Sequence, residues 1–183
     1  MTGHHLVLGT LRDCITGDEL EDTHDERYRQ KLGRLLIGGK AYPLSEVEPR
    51  VALRVRVGDK AAIVPIDFRI GPPGRPMMIV KYGPGSITTR HRCAAAAVLL
   101  VAPYRVPVCV VTNGEDADIL ESRTGKVLAR GLGGIPSRSD LLLRLADWVP
   151  EPVTARQQEM ASRILYAYEV DGKCPCDDTV CIL

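Results

Sequence analysis

Aromatic side chains are scarce in this 183-residue chain: one Trp, one Phe and six Tyr, 4% of the total. Its core must therefore be aliphatic, and a nucleic-acid platform built from several stacked rings is excluded. Long apolar runs are missing too. The longest, Cys93 to Ala102, has ten residues, about half of what a membrane-crossing helix needs. No basic stretch leading into an apolar one opens the chain, so no secretory signal is read, and a cytoplasmic location without a membrane partner is expected. In a reducing compartment, six cysteines read as thiols or metal ligands rather than as a disulfide framework. A composition of 45% apolar and 26% charged residues excludes a mostly disordered chain, and the length predicts one domain with appendages.

Net charge is also nearly absent, 24 Lys and Arg against 23 Asp and Glu, but its distribution is uneven. Residues 13–26 hold seven acids and no Lys or Arg, whereas residues 50–105 hold ten Lys and Arg against Asp59 and Asp67. A basic middle predicts a polyanionic partner, DNA above all, with Arg54, Arg56, Arg90 and Arg92 as leading contacts.

Periodicity supplies the element order. Tyr28, Leu32, Leu35 and Leu36 fall at helical spacing within residues 22–37, behind Asp25 and Glu26, and Gly38-Gly39 stops the helix. Val51 to Val57 alternates with a period of two, Gly58-Asp59-Lys60 turns the chain, and residues 61–70 return as a hairpin strand. A third strand is expected over 76–82, a helix capped by Ser86 over 86–101, and a strand buried on both faces over 106–111. A short hairpin (118–121 and 127–129) and two helices (139–148 and 153–169) complete a mixed α/β domain. Four segments result: an N-terminal extension (1–21), a core (22–135), C-terminal helices (136–170) and a Cys-rich tail (171–183).

Asp67, in Pro65-Ile66-Asp67-Phe68, sits inside the second hairpin strand, opposite in parity to Val64, Ile66, Phe68 and Ile70. A carboxylate in a sheet is costly unless it is paired or holds a metal. Lys81 lies on the next strand, and antiparallel pairing brings it beside Asp67. Two readings stay open: a structural salt bridge at the sheet edge, or part of a site.

A helix bearing Glu26-Arg27-Tyr28-Arg29, a hairpin with Pro65-Ile66-Asp67, Lys81 on the third strand, and then Thr112-Asn113-Gly114 together resemble the PD-(D/E)xK nuclease core, over residues 22 to 130. The nearest variety is the N-terminal domain of type I restriction enzyme R subunits, of which a stand-alone version without a helicase motor is expected here. The resemblance implies a restriction-endonuclease-like α/β fold, a central mixed sheet flanked by helices. It also implies Mg²⁺-dependent phosphodiester hydrolysis in restriction-modification. Asp67 would then be the central metal ligand, Glu26 a second one, and Lys81 the group that orients the attacking water. The pattern departs at position 79, where an isoleucine stands in place of the usual acid. Two classes therefore remain, a Mg²⁺-dependent deoxyribonuclease and an inactive nucleic-acid-binding or assembly module.

Cys174-Pro175-Cys176 and Cys181 place three thiols near the C-terminus, one short of a four-ligand metal site. Cys14 is the natural fourth. The layout resembles the iron–sulfur staple of some PD-(D/E)xK exonucleases, which implies an iron–sulfur cluster or Zn²⁺; a reduced tail is the alternative. Cys93 and Cys109, in apolar runs, read as core residues.

Overall fold

The computed structural model describes residues 6–171 and 181–182. Two short strands, β1 (Thr10–Arg12) and β2 (Glu19–Glu21), pair antiparallel ahead of helix α1 (His24–Arg34). The Thr23 hydroxyl caps α1 by accepting from the Glu26 amide at 3.1 Å, and Asp25 and Glu26 stand where the helix dipole favours acids. The helix widens into a π turn over Leu35–Gly39, ending at the glycine pair that the sequence marks.

Strands β3 (Val47–Val57) and β4 (Lys60–Ile70) form the expected hairpin, and β5 (Met78–Tyr82) adds antiparallel to β4. Helix α2 (His91–Ala97) then carries the chain over to β6 (Val108–Thr112), which runs parallel to β5. Strands β7 (Ala117–Glu121) and β8 (Val127–Arg130) extend the sheet antiparallel, in the order β3-β4-β5-β6-β7-β8. Helices α3 (Arg138–Arg144) and α4 (Ala155–Leu165) follow, and α4 widens into a second π turn over Tyr166–Val170. The two-residue β9 (Cys181–Ile182) pairs with Ile63 and Ala62 of β4.

Every residue of β5 and β6 is buried because helices cover both sheet faces, which is why these strands are apolar runs rather than alternating ones. Ile79, Cys109 and Val111 pack with α2 and α4, while Met78, Val80, Val108 and Val110 pack with α1 and the Leu141 region of α3. The long hairpin serves both layers. Val64 and Ile66 join the α2–α4 cluster, whereas Phe68 and Ile70 join the α1 cluster. These four residues were expected to share one face; the hairpin instead passes from one layer to the other at Asp67. Opposite that point Arg50 adopts a left-handed φ of 51°.

Three other expectations need correction. The Ser86 side chain does not cap α2: the Ser86 carbonyl accepts from Thr89 Oγ1, a tight turn covers 88–90, and the α-helix proper begins at His91. The third strand starts at Met78 because Pro76 precedes it without an amide to donate. The expected helix over 139–148 ends at Arg144. Among the described residues, no helix is long and apolar enough to cross a membrane.

Candidate functional site

The β4–β5 ladder ends with Phe68 opposite Val80. Asp67 and Lys81 are the next pair, and there the two strands part. The fork is closed by side chains. Asp67 Oδ2 accepts from the Tyr82 amide at 2.7 Å, and Lys81 Nζ donates to the Pro65 carbonyl at 3.4 Å. Asp67 and Lys81 are thus neighbours, as antiparallel pairing of the two strands predicts, yet they do not pair with each other. Asp67 leans toward α1, where its Oδ1 accepts from Arg29 Nε at 2.7 Å. Lys81 leans toward the end of α4, where Glu169 Oε1 lies 3.0 Å from Nζ.

Glu26 lies on the same side as Asp67. Its Oε1 accepts from Arg50 Nη2 at 2.6 Å and from Gln30 Nε2 at 2.9 Å, and its Oε2 stands 3.5 Å from Arg29 Nη1. Arg29 is therefore wedged between the two carboxylates expected to hold a metal, with its guanidinium also 5.5 Å from the centre of the Tyr82 ring. Arg50 reaches past Glu26 to Asp13 Oδ2 at 2.6 Å. Burial alone would raise the Asp13 pKa, but the Thr16 and Ile15 amides, then Arg50 and Gln30, pull it down to about 2.

The Thr112-Asn113-Gly114 loop anchors the start of α1 beside this site. Asn113 Oδ1 accepts from the amides of Glu115 and Asp116 at 3.0 and 2.8 Å, and Thr112 Oγ1 donates to the Asp116 carbonyl at 2.6 Å. This folds the loop so that Gly114, at φ 87°, lies flat against the Tyr28 ring. Tyr28 in turn stacks on Tyr82 at 5.7 Å, and Lys31 Nζ donates to the Gly114 carbonyl at 2.8 Å. Helix α1, the 112–114 loop and β5 thus form one braced unit around Asp67.

A family model, type I restriction enzyme R protein N terminus (HSDR_N), matches residues 24–136. The chain belongs to that family. Comparisons with curated proteins and with solved structures return no match. The matched span of this R-protein N-terminal domain contains Glu26, Asp67, Ile79, Lys81 and the Thr112-Asn113-Gly114 loop, and it ends before α3 and α4. The acid that meets Lys81, Glu169, therefore comes from outside the matched span.

The donor set does not fit a hard divalent cation. Arg29 bridges Glu26 and Asp67, Ile79 offers no oxygen, and Glu169 is engaged by Lys81. Among the described residues, no three His, Cys, Asp or Glu side chains gather as a metal-holding group.

The expected DNA contacts separate. Arg54 and Arg56 are exposed on the outer side of β3, whereas Lys60, exposed at the hairpin turn, shares the opposite sheet face with Val57 and stands 5.9 Å from the centre of the Tyr166 ring. Arg90 is folded inward against Gly83 and donates to the Pro84 carbonyl at 2.8 Å, so it holds a loop. Arg92 is exposed and lies 5.6 Å from the Tyr168 ring. Four of the ten cations in 50–105 are neutralised by acids from elsewhere in the chain: Arg50 by Asp13 and Glu26, Arg69 by Glu48, Lys81 by Glu169, and Arg105 by Glu151.

Of the metal-site cysteines, Cys174 and Cys176 lie outside the described residues. Cys14 sits against Gly33 near Phe68, whereas the Cys181 backbone pairs with Ile63, about 17 Å farther along β4 at ~3.4 Å per residue. Cys93 and Cys109 are core residues as expected. Burial pushes the Cys109 thiol up to about 12, and burial followed by nearby Glu169 pushes Cys93 up to about 11.

Proposed function

We propose that this chain is a nucleic-acid-binding module built on the type I R-protein N-terminal fold, a PD-(D/E)xK-like domain whose hydrolytic site has been converted to internal ion pairs. The observation that carries this proposal is Arg29, held at 2.7 Å from Asp67 and 3.5 Å from Glu26. A partly buried guanidinium between two carboxylates supplies the positive charge that a metal would otherwise bring, and it repels a second cation. DNA is engaged electrostatically by the outer face of the β3–β4 hairpin arm, through Arg54 and Arg56. Hydrolysis would instead require Arg29 to release Asp67 and Lys81 to release Glu169.

Gel-shift and nicking assays with plasmid and oligonucleotide DNA, with and without Mg²⁺ or Mn²⁺, test both halves. Two phosphate contacts predict a slope of about −1.8 for log affinity against log salt, a loss of roughly twelvefold between ~50 and ~200 mM. The R54A/R56A variant should weaken binding and flatten that slope, and no cleavage should appear. Metal-dependent cleavage that disappears in Asp67→Asn would overturn the inactive assignment. Failure to retain DNA at low salt would overturn the binding assignment.

A further inference from the structure

Helix α2 carries the run Ala94-Ala95-Ala96-Ala97, whose side chains are too short to fill the space between it and α4. Arg92, near the start of α2, lies 5.6 Å from the ring of Tyr168, beyond the end of α4. Past the other end of α2, the Pro103 carbonyl accepts from the Val153 amide at 3.1 Å, just ahead of α4. The two helices therefore run antiparallel, and an open groove of about 340 Å³ lies between them.

The floor of the groove is apolar: Ala95, Ala96 and Leu99 from α2, and Met160, Ala161 and Ile164 from α4. Positions 157, 160, 161 and 164 follow the helical repeat, so α4 turns one continuous stripe toward α2. Ala161 is buried in the core, whereas Met160, in the middle of the stripe, keeps 50% of its exposure. The polar residues of the wall divide into committed and free. Thr154 and Gln157 hold each other in the cap of α4, the Thr154 amide donating to Gln157 Oε1 at 2.8 Å and the Gln157 amide to Thr154 Oγ1 at 3.3 Å. Arg92 and Arg156 are exposed, and neither is paired with an acid among the described residues. No acid among those residues lines the groove, because Glu159 is turned aside to Arg163 at 2.6 Å. The two free cations stand at opposite ends, about 16 Å apart along the eleven residues of α4 at ~1.5 Å each.

We infer that this groove docks a short acidic amphipathic helix of a protein partner, its apolar stripe on Leu99, Met160 and Ile164 and a carboxylate at each end against Arg92 and Arg156. Charge complementarity selects this occupant: an apolar floor between two unpaired guanidinium groups suits an apolar stripe flanked by acids and repels one flanked by bases. Met160 suits the task because its flexible thioether adapts to the side chains laid on it. A phosphate backbone would leave the apolar floor uncovered, and a symmetric pair of grooves would set arginine against arginine. The inference does not rest on the DNA-binding assignment.

A display library of random peptides, each about 14 residues and so able to span ~16 Å as a helix, is selected against the full chain with Met160→Glu as counter-target. Enriched peptides should carry apolar residues at helical spacing with Asp or Glu near both ends. The tightest of them, labelled with fluorescein, should bind saturably by anisotropy. Met160→Glu should weaken it by about tenfold or more, and Arg92→Ala and Arg156→Ala by about two- to fivefold each with a shallower salt dependence. All three side chains are exposed, so these variants should keep the circular dichroism of the parent. Against Arg92→Glu/Arg156→Glu the same library should return Lys or Arg at the ends instead. The inference is overturned if no peptide is retained by the parent over Met160→Glu, or if the enriched peptides show no acidic bias. It is equally overturned if sedimentation shows a dimer that Met160→Glu dissolves, or if Arg92→Ala/Arg156→Ala weakens DNA binding as much as R54A/R56A does.

Discussion

Glu169→Gln removes the one acid that meets Lys81 among the described residues. The Lys81 side chain is almost wholly buried, with Glu169 Oε1 at 3.0 Å and the Pro65 carbonyl at 3.4 Å as the groups facing its ammonium. Without the carboxylate charge, a buried cation is left on one carbonyl and an amide. Breaking a buried pair from one side costs about 3–5 kcal/mol. The Glu169 side chain keeps 18% of its exposure, and solvent screening there argues for the lower end, ~3 kcal/mol. For a domain of this size that is a fall in Tm of about 9 °C. Lys81→Met should cost less, ~1 kcal/mol, because the orphaned acid sits nearer the surface and can turn to water. The double variant Lys81→Met/Glu169→Leu should return to within ~1 kcal/mol of the parent, since a matched apolar pair removes both desolvation costs. Thermal and urea unfolding followed by circular dichroism measure all three. Glu169→Gln within ~0.5 kcal/mol of the parent, or Lys81→Met costing more than Glu169→Gln, would refute the ordering and the idea that α4 closes the fork.

Asp13 and Gly114 provide two further tests. Asp13 has its pKa depressed from 3.8 to about 2, so its contribution is present above the ordinary value and is lost as pH falls through that window. The shift corresponds to roughly 2 kcal/mol; Asp13→Asn should lose this at neutral pH and flatten the acid limb of the urea-midpoint profile between pH ~4 and ~2. A Cβ at Gly114 would lie 2.2 Å from the Tyr28 ring at a φ of 87°. Gly114→Ala should therefore cost about 2–3 kcal/mol and change the near-ultraviolet signal of the Tyr28–Tyr82 stack. Gly85→Ala, at φ 85° but with open space around it, should cost only ~1 kcal/mol.

Much of the scaffold was legible because its signals are local. The alternation of 51–57 and the Gly58-Asp59 turn define the hairpin, and a third apolar segment behind it places Lys81 one step beyond the Phe68–Val80 pair. The partners of the charges were not legible in the same way. Arg29 carried a readable signal, three residues after Glu26 and so on the same helix face, although nothing local ties it to Asp67. Glu169 carried none: it meets Lys81 through the packing of α4 on the sheet, and its π turn leaves no mark in the hydrophobic period. The β1–β2 pair escaped for another reason, being only three residues per strand and mostly exposed. Asp13 and Arg50 thus looked like members of an acidic run and a basic run, when they are partners.

These pairings determine what the fork can attract. On its α1 side, Asp13, Asp25, Glu26 and Asp67 lie around Arg29 and Arg50; on its α4 side, Lys81 faces Glu169. The α1 side carries a surplus of two negative charges and the other none, but Arg29 and Arg50 occupy its carboxylates, whereas a divalent cation is held by two or more carboxylates without competing guanidinium groups. The same pairings take cations out of the basic middle, because Arg50 and Lys81 are neutralised inside the fold. What remains exposed on the outer face of the hairpin is Arg54 and Arg56, a short positive arm, while Asp59 and Lys60 offset each other at the turn. A phosphate backbone approaching this face meets that arm rather than the fork, so the salt dependence of DNA binding should follow Arg54 and Arg56 and be unchanged by Asp67→Asn.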